Sequence, residues 1–174
     1  LDAATEGFQK ALKEKLGDKV EFDVQNAQGE ETNCATIATK FVNSNVDLIM
    51  ANATQAVISS ATATSDIPIV GTSVTDYVTT GTVKSNDAPG GNVTGTSDLA
   101  PIDQQVELLQ KLVPDAKNVG ILYCSAEANS VYQAEQAQKY LEKAGITAKT
   151  YTAADSNDIQ QVVTKAADEN DAIY

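Results

Sequence analysis

Two hydrophobic rhythms take turns along this chain. Leu1, Ala4, Phe8, Ala11 and Leu12 recur at helical spacing, which predicts an amphipathic helix ended by Gly17-Asp18. Val20-Glu21-Phe22-Asp23-Val24 then alternates apolar and polar, which predicts a half-buried strand near a sheet edge. Cys34, Ile37, Ala38, Phe41 and Val42 return to helical spacing. The run Val46-Asp47-Leu48-Ile49-Met50-Ala51 is apolar enough for a strand covered on both faces. An Ala/Ser/Thr-rich helix opened by Asn52-Ala53-Thr54-Gln55 follows. Ile67-Pro68-Ile69-Val70-Gly71 is a second buried strand, with Pro68 near its start. Residues 72–84 are polar, irregular and too long for an ordinary turn.

The stretch Pro89-Gly90-Gly91-Asn92-Val93-Thr94-Gly95-Thr96-Ser97-Asp98 divides this pattern. Its turn cluster leads into a short strand, Asn92 to Thr96, and after it the alternation starts again. Pro101 suits the first turn of a helix, with Asp98 ahead of it as a cap, and Ile102, Val106, Leu109 and Leu112 supply the buried face. Asn118 to Tyr123 reads as a strand, Val131 to Ala144 as a helix, and Ile146 to Tyr151 as a strand. Ser156-Asn157-Asp158 reads as the cap of a last helix, and Asp171-Ala172-Ile173-Tyr174 begins another strand. Strict β/α alternation implies parallel sheets with helices on both faces. The reading is an α/β chain of two lobes, residues 1–95 and 96–174. Both ends look unfinished, because the chain opens on a helix and closes inside a strand. We therefore expect a piece of a longer chain, with the first lobe lacking its first strand and the second incomplete.

Composition narrows the function. Acidic residues outnumber basic ones 24 to 12, for a net charge of −12. That balance disfavours a nucleic-acid partner and an anionic membrane surface. There is no histidine, which removes Ser-His and Cys-His nucleophile pairs and His-ligated metals. Cys34 and Cys124 lie in opposite halves with no metal-type spacing, and no apolar run is long enough to span a bilayer. No signal peptide is visible; a chain cut after one looks the same. No Gly-x-Gly-x-x-Gly follows a strand and no Walker loop occurs. We expect no enzyme, no cofactor and no metal.

Ligands of open α/β sheets bind beyond the carboxyl ends of strands. Three such ends carry candidate residues. Asn52 and Thr54 open a helix whose N-terminus suits a carboxylate, with simple capping as the other reading. Ser73, Thr75, Asp76 and Tyr77 offer hydroxyls, a carboxylate for an ammonium and a ring for stacking; a solvated loop is the other reading. Ser125, Glu127, Asn129 and Ser130 lie at another helix start, where Glu127 balances an ammonium or is simply a first-turn acid favoured by the helix dipole. Thr94, Gly95 and Thr96 form the expected hinge, Gly95 being either the flexible point or a bulge.

Several of these motifs together resemble a family of bacterial ABC-transporter substrate-binding proteins, the TrpX-like group. They are Pro89-Gly90-Gly91-Asn92-Val93-Thr94-Gly95, Asp23-Val24-Gln25-Asn26-Ala27-Gln28-Gly29, Ile67-Pro68-Ile69-Val70, Val74-Thr75-Asp76, and the run from Leu122 to Ser130. The resemblance implies a type I periplasmic-binding-protein fold, two flavodoxin-like lobes joined by a hinge. It implies an amino acid ligand, aromatic in kind (tryptophan, phenylalanine or tyrosine), held in the cleft between the lobes and passed to an ABC permease. It also implies a place outside the cytoplasmic membrane, with any lipid anchor outside this segment. Cys124 stands where the family more often has Asn, and Tyr77 where it more often has Pro. A ligand-sensing domain of a transcription regulator shares the same fold and is the alternative; an enzyme ranks below it.

Overall fold

A computed structural model describes residues 1–153 and 157–174. The chain divides into two compact units, Leu1–Leu99 and Ala100–Tyr174. The division falls after Leu99 rather than after Gly95, because β3 (Val93–Ser97) is hydrogen-bonded into the first unit's sheet.

Unit 1 holds α1 (Asp2–Leu16), α2 (Glu31–Asn43), β1 (Ile49–Asn52), α3 (Thr54–Ala63), β2 (Ile69–Val74) and β3. Its sheet has the order β1-β2-β3, and both pairings are parallel. Ile49, Ala51, Val57, Ile69, Val74, Tyr77 and Val93 form the core. Parallel neighbours need a crossover. Between β2 and β3 that crossover contains no helix: residues 75–92 are turns and bends, with Tyr77 buried among the core residues. Asn92 anchors the end of the crossover by donating from Nδ2 to the Thr64 and Ile67 carbonyls, at 3.0 and 2.8 Å.

Residues 20–24 depart from expectation. They form no strand, although Val20 has extended backbone dihedrals. A strand exists only through a neighbour's ladder, and β1 pairs with β2 alone among the described residues. The segment is held instead by a 2.8 Å ion pair from Asp23 to Lys40 of α2. Helix α1 buries no residue fully, and Leu1 is 71% exposed.

Unit 2 holds α4 (Ile102–Leu112), β4 (Asn118–Cys124), α5 (Ala128–Lys143), β5 (Thr147–Ala153), α6 (Ile159–Glu169) and β6 (Ala172–Ile173). Its parallel sheet has the order β5-β4-β6. Val119, Ile121 and Leu141 are its largest fully buried side chains. One cap differs from expectation. Asp98 does not cap α4; its N–H extends the sheet by donating to the Val74 carbonyl at 3.0 Å, and Pro101 occupies the cap position. Ser156 lies outside the described residues, and Asp158 at the cap of α6 makes no side-chain cap bond. No helix among the described residues is long and apolar enough to cross a membrane.

Asp171 ties the start of β4 to the turn before β6. One carboxylate oxygen accepts the Lys117 and Asn118 N–H groups, both at 2.9 Å. The Asn118 bond is the larger cause, and together they hold the carboxyl pKa below its ordinary value. A lowered folded-state pKa stabilises above the ordinary Asp range and loses that effect as pH falls through it. Asp171→Ala is therefore expected to lower Tm at pH 7. The gap to wild type should close as pH falls below about 4. Thermal melts across pH check this; a gap that stays constant to acid pH contradicts it.

Candidate functional site

The carboxyl end of β1 carries unusual backbone. Asn52 is paired with Thr72 of β2, and the Ala53 N–H donates to the Thr72 carbonyl at 3.0 Å. Ala53 then adopts φ 100°, ψ 158°, a conformation that disfavours any side chain. One strand over, Ser73 has φ 56°. Strained backbone of this kind costs about 1–3 kcal/mol per residue and clusters at functional sites.

Helix α3 starts directly after Ala53. Alanine has no side-chain oxygen, so no side chain caps the first N–H groups of α3 among the described residues. Thr54, the first helical residue, is 6% exposed. The result is an electropositive helix end at the sheet edge, suited to a carboxylate. Asn52 has a different task. Its Nδ2 donates to the Leu1 carbonyl at 2.7 Å and to Thr5 Oγ1 at 3.0 Å, which ties α1 to the sheet. Its Oδ1 is buried with no partner among the described residues.

The end of β2 is shaped by a bulge. Gly71 pairs with Gly95 and Val74 with Ser97, so Thr72 and Ser73 together face Thr96 alone. The bulge therefore lies on β2, not at Gly95. Thr75 is 8% exposed, and its carbonyl accepts Ser97 Oγ at 2.7 Å. Asp76 closes a turn: Oδ1 accepts the Thr79 N–H at 2.7 Å and the Thr79 hydroxyl at 2.9 Å.

Tyr77 corrects the expectation of a stacking face. The residue is 5% exposed, its ring belongs to the core, and its hydroxyl donates to the Thr96 carbonyl at 3.1 Å. Burial pushes the phenol pKa up. The glycines beneath it make the seat. A Cβ on Gly71 would lie 2.4 Å from the Tyr77 hydroxyl oxygen, and one on Gly95 would lie 2.1 Å from it. Gly95 is thus required for close approach, including 2.2 Å from its notional Cβ to the Gly71 carbonyl oxygen. Thr94 and Gly95 are paired with Val70 and Gly71 in the sheet of unit 1.

Unit 2 has a similar carboxyl edge. The Ser125 N–H donates to the Ala153 carbonyl at 3.3 Å, just past the end of β4. Glu127 stands at the cap of α5 and is exposed; Ser130 Oγ donates to its Oε2 at 3.1 Å. Asn129 is half-buried, and its carbonyl accepts Gln133 Nε2 at 3.4 Å. Asn52, Thr54, Ser73, Thr75 and Asp76 thus gather on one edge, in unit 1. Ser125, Glu127, Asn129 and Ser130 gather on the matching edge of unit 2. Sequence reasoning missed Ala53, whose side chain carries no signal of its backbone, and Ser97, which braces Thr75.

The family model described as ABC transporter substrate binding protein matches residues 1–174. This chain belongs to that family. A tyrosine-binding protein of Clostridioides difficile is 40% identical over 177 residues, covering 100% of this chain and 51% of that protein. An ABC domain of Streptococcus pneumoniae solved in complex with L-Trp is 39% identical with a TM-score of 0.89, over 97% of this chain and 58% of that one. A conserved domain protein of Vibrio cholerae is 39% identical with a TM-score of 0.92, over 99% and 60%. The chain thus spans about half the length of the curated relative and under two thirds of these solved ones. The fold is the α/β, parallel-sheet type I periplasmic-binding-protein fold, and the family is one of binding proteins.

The strain at Ala53 can be measured. Ala53→Gly relieves about 1–3 kcal/mol of backbone strain. It costs about 0.4–1 kcal/mol through the freer unfolded chain. Urea denaturation should therefore show a more stable variant, whereas glycine ordinarily destabilises. A less stable variant contradicts the strain.

Proposed function

We propose that the chain is the ligand-holding segment of an extracytoplasmic ABC-importer component that binds an aromatic amino acid. The observation that carries this reading is the uncapped start of α3 between two strained strand ends. Substrate preference follows the relatives: one is called tyrosine-binding, and another was solved with L-Trp. Their identities of 40 and 39% make a related ligand the economical reading.

The ligand's carboxylate sits at the N–H groups of Thr54 and Gln55, where the helix dipole favours negative charge. The hydroxyls of Thr54, Ser73 and Thr75 add donors. Asp76 takes the ammonium through a charge-assisted bond. The edge of unit 2, with Ser125, Asn129 and Ser130, holds another part of the molecule. Glu127 is exposed and bonded to Ser130, so its role is to orient that hydroxyl. A ligand that engages both edges favours whichever arrangement of the units lets it do so, by its difference in affinity for the two states. An ABC permease then reads that arrangement and takes up the ligand. No cofactor or metal enters the proposal, and the membrane is reached only through an anchor outside this segment.

Calorimetry of the full-length protein against a panel of amino acids is expected to show binding of tryptophan, tyrosine or phenylalanine. No heat with any aromatic amino acid overturns the reading. Asp76→Ala should weaken binding more than about tenfold, since a bond to a charged group contributes about 1.5–3 kcal/mol. Thr79→Val removes the hydroxyl that Asp76 accepts but keeps the carboxylate, and should weaken binding far less. Equal losses in both would assign Asp76 to the turn rather than to the ligand.

A further inference from the structure

The bulge at the end of β2 has one residue facing it, Thr96, and the hydroxyl of Tyr77 reaches the Thr96 carbonyl. Tyr77 thus adds a donor from outside the ladder to a carbonyl beside the bulge. Tyr77 reaches it from the crossover, three residues after Val74, the last residue of β2. The ring can lie there because Gly71 and Gly95 are paired and neither has a side chain. Val57 closes the third side: its Cγ2 is 2.9 Å from where a Gly71 Cβ would stand. Ring, bulge and glycine pair are therefore one assembly. Ser73 and Thr75 lie within two residues of its bonds, and Ser97 Oγ braces the Thr75 carbonyl from the β3 side.

We propose that Tyr77 is a positioning residue for ligand binding. Its ring, seated over the Gly71–Gly95 pair and bonded to Thr96, fixes the bulge that presents Ser73 and Thr75. It touches no ligand itself. The proposal rests on the amino acid-binding reading above for its affinity readout and on geometry alone for its coupling to the glycines.

Two measurements on the full-length protein decide it. The first is a double-mutant cycle read by Tm. Gly71→Ala should lower Tm in the wild-type background, because the new Cβ meets the ring. It should have less than half that effect in a Tyr77→Ala background, where the two nearest clashing atoms are gone and Val57 Cγ2, at 2.9 Å, remains. Equal effects in both backgrounds overturn the seat. The second is calorimetry with the aromatic amino acid that wild type binds best. Tyr77→Phe keeps the ring and loses only the hydroxyl; it should weaken binding about threefold to tenfold, the range of one lost neutral hydrogen bond. An unchanged affinity overturns the positioning role, even if Tm falls. A loss beyond about 100-fold overturns it in the other direction, by marking direct contact with the ligand. If wild type binds no amino acid, the functional reading fails, and the Tm cycle still tests the seat.

Discussion

Two glycines on neighbouring strands lie beneath one tyrosine, and the end of the first sheet depends on that contact. Gly71 and Gly95 are in register, and the Tyr77 hydroxyl sits where either Cβ would be. Any side chain at these positions would force the ring outward. The Thr96 carbonyl would then lose the Tyr77 hydroxyl as a donor, beside a bulge that already interrupts the ladder. The positive φ of Ser73, the short bond from Ser97 to Thr75 and the helix-free crossover after Val74 all follow the path this packing allows.

The second unit reaches a comparable edge by simpler means. Its core is a conventional helix-and-sheet layer built on Val119, Ile121, Ala137 and Leu141. Three residues separate the end of β4 from the start of α5, and Glu127 lies at the helix start where a negative charge is favoured. Neither α5 nor α3 carries a side-chain cap; what sets α3 apart is the alanine in strained backbone at its cap position.

Most of the architecture was legible in the residue pattern. Helical spacing and short apolar runs located the six helices and six strands of the described residues to within a few positions. Residues 20–24 were misread because alternation reports which face is apolar, not whether a partner strand stands alongside. The site was legible at the level of loops. Asn52, Ser73, Asp76 and Ser125 were chosen as candidates because ligands of such sheets bind beyond strand ends, and the structure puts all four at those ends. What each side chain does was not legible. Tyr77 reads as an aromatic in a polar loop; only the absence of side chains on Gly71 and Gly95, on the two neighbouring strands beneath it, lets it join the core. Asp76 reads as a free carboxylate until Thr79 is seen to donate to it twice. Ala53 reads as an ordinary helix former, and its φ of 100° follows from the bond that ties it to Thr72.

The proposed function puts an amino acid's carboxylate at the start of α3. A crystal structure of the full-length protein grown with L-tryptophan or L-tyrosine tests that placement most directly. The account predicts ligand density with its carboxylate oxygens within hydrogen-bond distance of the Thr54 and Gln55 N–H groups. A ligand whose carboxylate lies elsewhere, with the start of α3 facing only water, would contradict it.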